Sequence, residues 1–326
     1  MPTISIITPL YNKAAYISET INSVLSQTYL DWEMLIIDNG STDNGAAIAK
    51  EFELKDKRIN LLTSERKGPG AARNYGIKFS QGTWIQFLDA DDLLESDHLE
   101  KQLEVANKNL EADIICGWWQ EFQDENKPVI NLKKPTGIGQ TIQDLRDSSI
   151  AFAPWAVHAV LIKRTAISPE YYWPEELDQL LGEDITFWYK LVSKCQVAYG
   201  ENRGALYRIH TPECRNQNLN PERWFKGVHN AIKLNQQYLE SHQQFYTSGQ
   251  CENLMRVYLD IAFLSTSKHS VSVQNQAIYL ASKWLDQYFD VSNSPKPSMI
   301  LRNLLGLKNF IKIKLLFDFF NVKVTK

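Results

Sequence analysis

Cysteine is scarce in this chain. Four residues, Cys116, Cys195, Cys214 and Cys251, are spread through 326 positions with no CxxC pair among them. That spacing argues against a disulfide frame or a paired-thiolate zinc site and fits free thiols in a reducing compartment. Charge of one sign is also lacking: 35 Lys and Arg stand against 38 Asp and Glu, for a net charge of −3. A near balance of this kind argues against a general nucleic-acid binder. No uninterrupted apolar run approaches the roughly 20 residues needed to cross a bilayer. Internal repeats and low-complexity tracts are absent. Met1-Pro2-Thr3 leads straight into a strand pattern, so no signal peptide is expected and a cytoplasmic location is.

The first hundred residues alternate short apolar runs with helical periodicity. Strands are expected at Ile4–Ile7, Met34–Ile37, Ile59–Leu62 and Trp84–Leu88. Between them, helices are expected through Ile17–Thr28, Ala46–Leu54 and Gly70–Phe79. Continuous apolar strands alternating with helices predict a parallel sheet covered on both faces. Further on, strands are expected at Ile114–Trp119, Val157–Ile162 and Gln196–Tyr199, and a helix over Gly182–Val192. From about 222 the chain reads as helical, with breaks near Ser248, Ser270 and Ser294. The expected division is a catalytic unit over 1–221 and a helical C-terminal region over 222–326.

In such sheets ligands bind beyond the carboxyl ends of the strands, so the four post-strand segments matter most. Thr8-Pro9-Leu10-Tyr11-Asn12-Lys13 offers groups that stack a base or touch phosphate; it also fits a turn with a helix cap. Asp38-Asn39-Gly40-Ser41-Thr42-Asp43 offers acceptors for a nucleobase N–H; it also fits an Asx turn with a helix N-cap. Gly68-Pro69-Gly70 permits close backbone approach, with Arg73 within reach of a diphosphate or base. Asp89-Ala90-Asp91-Asp92 crowds three carboxylates that repel one another unless a positive charge sits among them. A hard divalent cation, Mg²⁺ or Mn²⁺, suits such oxygen ligands. A solvated turn opening a helix at Leu93 is the plainer reading. Each segment is a weak signal; all four at one sheet edge make a strong one.

These blocks resemble the inverting nucleotide-sugar glycosyltransferases of family 2. The matching text is Ser5-Ile6-Ile7-Thr8-Pro9 with Tyr11-Asn12, Ile37 to Asp43, Gly70 to Ile77, and Phe87 to Asp92. The resemblance implies an α/β A-type glycosyltransferase fold: Rossmann-like, with a mostly parallel central sheet flanked by helices. It further implies a nucleoside diphosphate sugar as donor and a divalent metal, Mg²⁺ or Mn²⁺. By position, Thr8, Pro9, Tyr11, Asn12, Asp38 and Asn39 would surround the donor's base, with Arg73 near the base or diphosphate. Asp89-Ala90-Asp91 would be the DxD element, with Asp91 on the metal and Asp89 towards the ribose or a metal-bound water. Many relatives carry two acids where this chain has Asp38-Asn39. An amide still accepts from uracil N3–H, so a uridine donor is favoured, with thymidine and guanosine left open.

Gly182-Glu183-Asp184 resembles the family's ED motif, which makes Asp184 the expected base and Glu183 an acceptor-holding neighbour. Two acids at a helix N-terminus also fit its dipole alone. Trp155 is either a platform for an acceptor sugar or a buried structural tryptophan. Leu206-Tyr207-Arg208-Ile209-His210 resembles the family's closing motif, which implies that His210 completes the metal or diphosphate site; a structural histidine is the plainer reading. The segment 299–326 has the spacing of a basic amphipathic helix. Such a helix either lies on an anionic membrane surface, suiting a glycan or lipid-linked glycan acceptor, or packs on the protein or a second copy of it. Two other classes stay open. A nucleotidyltransferase needs a glycine-rich loop after the first strand, and Thr8 to Lys13 has no glycine. A non-catalytic nucleotide-sugar binding module would bind donor without transfer, against which the intact Asp91 and Asp184 count.

Overall fold

The computed structural model describes residues 1–123, 131–209, 220–267 and 270–292. Strand β1 (Ile4–Leu10) is buried along almost its whole length, with parallel neighbours on both sides and helices over both faces. The neighbours are β2 (Trp32–Asp38) and β4 (Trp84–Phe87), and β3 (Ile59–Thr63) extends the sheet beyond β2. Alternate side chains of such strands point to opposite faces. Ile4 and Ile6 therefore join one apolar cluster and Ile7 joins another. Helices α1 (Ile17–Leu25), α2 (Gly45–Lys55) and α4 (His98–Lys108) cover the first face. Helix α3 (Pro69–Phe79) covers the second, with α5 (Ile142–Ser149) and α6 (Glu183–Lys194). Each fully buried Ile or Leu contributes roughly 1.5–3 kcal/mol of transfer free energy.

Among the described residues the large sheet has the order β10-β6-β9-β4-β1-β2-β3. Here β6 is Ile114–Cys116, β9 is Val160–Lys163 and β10 is Val197–Tyr199. Only β9 runs against its neighbours in this sheet. A smaller sheet of β5 (Leu93–Leu94), β11 (Ala205–Arg208), β7 (Trp119–Phe122) and β8 (Asn131–Lys133) stands beside it.

Three expectations are corrected. The single strand at Ile114–Trp119 is two strands in two sheets. The Gly117 N–H still bonds Ala159 at 2.8 Å, but the Trp118 N–H turns to Asn202 at 2.7 Å, which carries the chain across. Only the second half of Val157–Ile162 is strand, since Val157–Ala159 forms a 3-10 turn. No helix opens at Leu93; that residue is in β5, paired with β11, and α4 starts at His98. The expected helices past 222 are α7 (Pro221–Ser241), α8 (Ser248–Ser267) and α9 (Val271–Ser292). They share the apolar cluster of α5 and α6. Cross-links such as Asn235 Nδ2 to the Ile150 carbonyl (2.9 Å) and Thr247 to Asp147 (2.7 Å) hold them there. No helix among the described residues is long and apolar enough to cross a membrane. Cys116, Cys195 and Cys251 are free and buried; Cys214, His210 and the segment 299–326 lie outside the described residues.

Candidate active site

The parallel register aligns four strand ends. Leu10 pairs with Asp38, Asp38 with Thr63, and Ile7 with Phe87. The segments that follow therefore emerge at one edge, and their side chains tie them into a ring. Asn12 Oδ1 accepts from the Thr42 N–H at 2.7 Å, joining the loops after β1 and β2. Asn12 itself has a φ of 52°, a left-handed conformation that Asn tolerates better than most residues. Asn39 joins the loops after β2 and β3: its Nδ2 donates to the Arg66 carbonyl (2.7 Å) and its Oδ1 accepts from Gly68 N–H (2.5 Å). Arg73 pairs with Asp89 at 2.7 Å, joining the segments after β3 and β4. Lys13 pairs with Asp91 at 2.8 Å and closes the ring back to β1.

Thr8 is buried, Pro9 is half-buried and Tyr11 is 54% exposed at the rim. Asp38 is half-buried and accepts from the Ser41 N–H at 3.1 Å. Asn39 is buried, and both halves of its amide are engaged by the next loop. Asp38 is thus the better exposed acceptor of that pair. Arg73 is only 4% exposed, with its guanidinium 4.3 Å from the Trp173 ring centroid. Trp173 in turn stacks on Phe187 at 4.0 Å. This cation–π support fixes the planar fork that meets Asp89.

The acidic run is a pinned turn and not a solvated one. The Asp92 N–H bonds the Asp89 carbonyl at 3.0 Å, and the buried Thr20 hydroxyl contacts the carbonyls of Ala90 and Asp92, each at 3.0 Å. Asp92 does not begin a helix. It is buried, accepts from the Arg208 backbone N–H at 2.8 Å and lies 3.2 Å from His158 Nδ1. Burial, together with the charges of Asp91 and Asp89, pushes its carboxyl well above the ordinary range. Burial pushes His158 down to about 4, so the facing imidazole is neutral at neutral pH. Arg208 binds the run from below: Nε donates to the Asp91 carbonyl (2.8 Å) and the guanidinium meets Glu19 (2.5 Å).

The remaining candidates come from the loop before β9 and from the first turn of α6. Glu183 is buried and Asp184 half-buried in the first turn of α6, after Gly182 in the left-handed region (φ 112°). Trp155 is 4% exposed and packs edge-on to Trp188 at 5.4 Å and Tyr199 at 6.5 Å. Burial in the core removes the open face a sugar platform needs, so the structural reading of Trp155 replaces the platform one. Asp178, which sequence reasoning passed over, is buried and caps α3. It accepts from the Gly70 N–H at 2.7 Å and the Ala71 N–H at 3.0 Å. Burial pushes it up to about 6; Glu183 adds to the rise, while the two N–H donors and Arg73 oppose it. The glycine-rich loop therefore admits this carboxylate. A Cβ on Gly68 would lie 2.2 Å from Asp178 Oδ2, and one on Gly70 2.6 Å from Oδ1. Lys13 stood in a segment expected to touch phosphate and Arg208 in the motif ending at His210, but the sequence did not pair either with the acidic run. Asp178, 108 residues from Gly70, carried no local signal.

Among the described residues no three His, Cys, Asp or Glu side chains converge as a metal cage. Asp89 and Asp91, both half-buried and facing cationic partners, still fit a hard cation. Mg²⁺ commonly takes one or two protein carboxylates and completes its shell with phosphate and water.

The profile described as Glycosyl transferase family 2 matches residues 5–164. The putative teichuronic acid biosynthesis glycosyltransferase TuaG of Bacillus subtilis is 32% identical over 216 residues, spanning 64% of this chain and 79% of TuaG. Three longer curated glycosyltransferases from Rickettsia and a shorter one from Haemophilus also match, and the matched stretch of this chain spans 34% to 44% of their length. Among solved structures, Staphylococcus aureus TarS 1–349 in complex with UDP-GlcNAc superposes with a TM-score of 0.58 at 18% identity, covering 90% of this chain and 91% of that one. A mannosyltransferase of Pyrobaculum calidifontis in complex with GDP-Man and Mn²⁺ gives 0.55 at 13% identity, covering 97% and 88%. The chain belongs to glycosyltransferase family 2 and has the A-type glycosyltransferase fold.

Proposed function

We propose that this chain is an inverting, metal-dependent glycosyltransferase. It moves a sugar from a nucleoside diphosphate donor, a UDP-sugar for preference, to a hydroxyl of a glycan or lipid-linked glycan. The observation that carries the reading is the closed ring of post-strand segments, which brings Asp38, Arg73, Asp89, Asp91 and Lys13 to one sheet edge. Tyr11 and Asp38 receive the base, Asp89 faces the ribose, and Arg73 and Lys13 meet the diphosphate. Asp91 would hold a divalent cation, which when bound would supply charge compensation for the leaving diphosphate. Asp184 takes the proton of the acceptor hydroxyl. The freed oxygen pair attacks the anomeric carbon in line, the bond to the diphosphate breaks, and the configuration inverts. Glu183 positions the acceptor.

The transfer site belongs to residues 1–221, and the helices from 222 onward support its acceptor side. The basic segment 299–326 offers peripheral contact with the inner face of an anionic membrane, which suits a lipid-linked acceptor and a cytoplasmic catalytic unit. The test is a thermal-shift screen of UDP, GDP, dTDP and UDP-GlcNAc, each with and without Mn²⁺ or Mg²⁺. The uridine ligands should raise the melting temperature most, and only with the cation present. Equal shifts for all bases, or shifts indifferent to the cation, would sink the donor assignment.

A further inference from the structure

The segment between β9 and α6 has little regular structure of its own, yet it delivers Glu183 and Asp184. Its position comes from contacts with α3 and the loop before it. Asn74 and Trp173 exchange two hydrogen bonds, the Asn74 Nδ2 to the Trp173 carbonyl and the Trp173 N–H to Asn74 Oδ1, both 2.9 Å. Asn74 Nδ2 also reaches Glu175 at 2.9 Å, and Arg66 pairs with Glu175 at 2.5 Å. The guanidinium of Arg73 lies over the Trp173 ring. Asp178 completes the set by taking two of the N–H groups that the first turn of α3 leaves without intrahelical partners. Its carboxylate also complements the positive end of the helix dipole.

We propose that Asp178 is a positioning residue: its carboxylate clasps the segment 173–184 to the N-terminus of α3 and so sets Asp184 relative to Arg73 and Asp89. This rests on the glycosyltransferase reading for the roles of Asp184 and Arg73, but the clasp itself is a feature of this chain's geometry. Three features support it. Both carboxylate oxygens are used, each on a different backbone N–H. The helix begins with Gly68 and Gly70 flanking Pro69, and a side chain at either glycine would strike Asp178. The same helix carries Arg73 three residues further on, so tying the segment here ties it to the residue that holds Asp89. Transfer chemistry is sensitive to this kind of registration: a misplacement of about 1 Å can cost about 100-fold in rate.

The test compares the full chain with Asp178→Ala, Asp178→Asn and Gly70→Ala. UDP binding with Mn²⁺ is measured by calorimetry, and release of UDP from UDP-GlcNAc into water gives a rate and a KM. Hydrogen exchange is read over 173–184 and over β1 and β2. Asp178→Ala and Gly70→Ala should lower the rate about 10- to 100-fold, with UDP affinity and KM held within about 2-fold. Asp178→Asn, which keeps one acceptor oxygen, should fall between them and the parent. Exchange should rise over 173–184 and stay unchanged in β1 and β2. A rate within about 2-fold of the parent in Asp178→Ala, or a loss of UDP affinity equal to the loss of rate, overturns the proposal. So does exchange that rises throughout the sheet in Asp178→Asn as well as Asp178→Ala. If the parent neither binds UDP nor releases it from UDP-GlcNAc, the donor reading fails. The exchange arm then decides the clasp alone: local loss of protection in the variants supports it, and unchanged protection overturns it.

Discussion

The two halves of the candidate site are built in different ways. The donor half uses strand ends of a parallel sheet, so its residues sit within a few positions of strands that any reader of the sequence can find. Its cross-links (Asn12 to Thr42, Asn39 to Gly68, Arg73 to Asp89) join segments that the sheet has already aligned. The acceptor half stands on a stretch of short turns, and its partners lie 99 to 108 residues away. The sheet enforces the first half, whereas a handful of polar contacts holds the second. Chemistry and stability should therefore separate between halves when single residues are changed.

The largest expected effect is chemical. Asp184→Asn keeps shape and removes the proton acceptor, so kcat should fall about 10²- to 10⁴-fold, while UDP affinity measured by calorimetry stays unchanged. Full transfer activity in this variant would remove Asp184 from the base role.

Trp155 tests the opposite prediction in the same half. It lies in the core against Trp188 and Tyr199, so Trp155→Ala should cost about 3–5 kcal/mol of stability, read from the urea midpoint. Trp155→Phe should recover much of this and leave transfer near the parent rate. A sugar platform would show the reverse: a small stability loss and a raised acceptor KM.

How much of this was legible beforehand follows the same division. The strands of the first hundred residues, their edge and the cations Arg73 and Lys13 were legible because the apolar runs and the loops between them are local patterns. The path of Ile114 to Trp119 was not, because a buried apolar run does not reveal that Trp118 will hydrogen-bond to Asn202. The acidic run ending at Asp92 reads equally as a turn opening a helix at Leu93, because acids favour helix starts. The true partners of Asp92, the Arg208 N–H and His158, come from distant strands and turns. The glycines at 68 and 70 correctly signalled a close approach, but the approaching group is Asp178 and lies far along the chain.

Asp178 also gives the acceptor half a pH dependence of its own. Its carboxyl is held up at about 6, mainly by burial, against an ordinary value near 3.9 in an unfolded chain. Between those values the folded state binds the extra proton. Its contribution to stability is therefore largest below about pH 4, declines as pH rises towards 6 and is constant above that. The span is up to about 3 kcal/mol. The melting temperature of the parent relative to that of Asp178→Asn should fall as pH rises from 4 to 7, a comparison that cancels Asp92 and His158, which also titrate differently on folding. Parallel profiles would place the proton elsewhere.

The smallest expected effect probes the half that the sheet enforces. Asn39 stands where the family pattern noted in the sequence would have an acid, and the structure gives a local reason for the amide. One end of the side chain donates to the Arg66 carbonyl while the other accepts from Gly68 N–H. A carboxylate can do only the second, and would set an oxygen against the Arg66 carbonyl. Asn39→Asp should then cost about 1–2 kcal/mol of stability, seen in the urea midpoint. The preference for UDP over GDP in the thermal-shift screen should not move, because the side chain is engaged with the neighbouring loop and leaves base contact to Asp38. A change of nucleotide preference without a change of stability would show that Asn39 reads the base directly. The donor half would then owe its selectivity to a residue that the ring of loops does not hold.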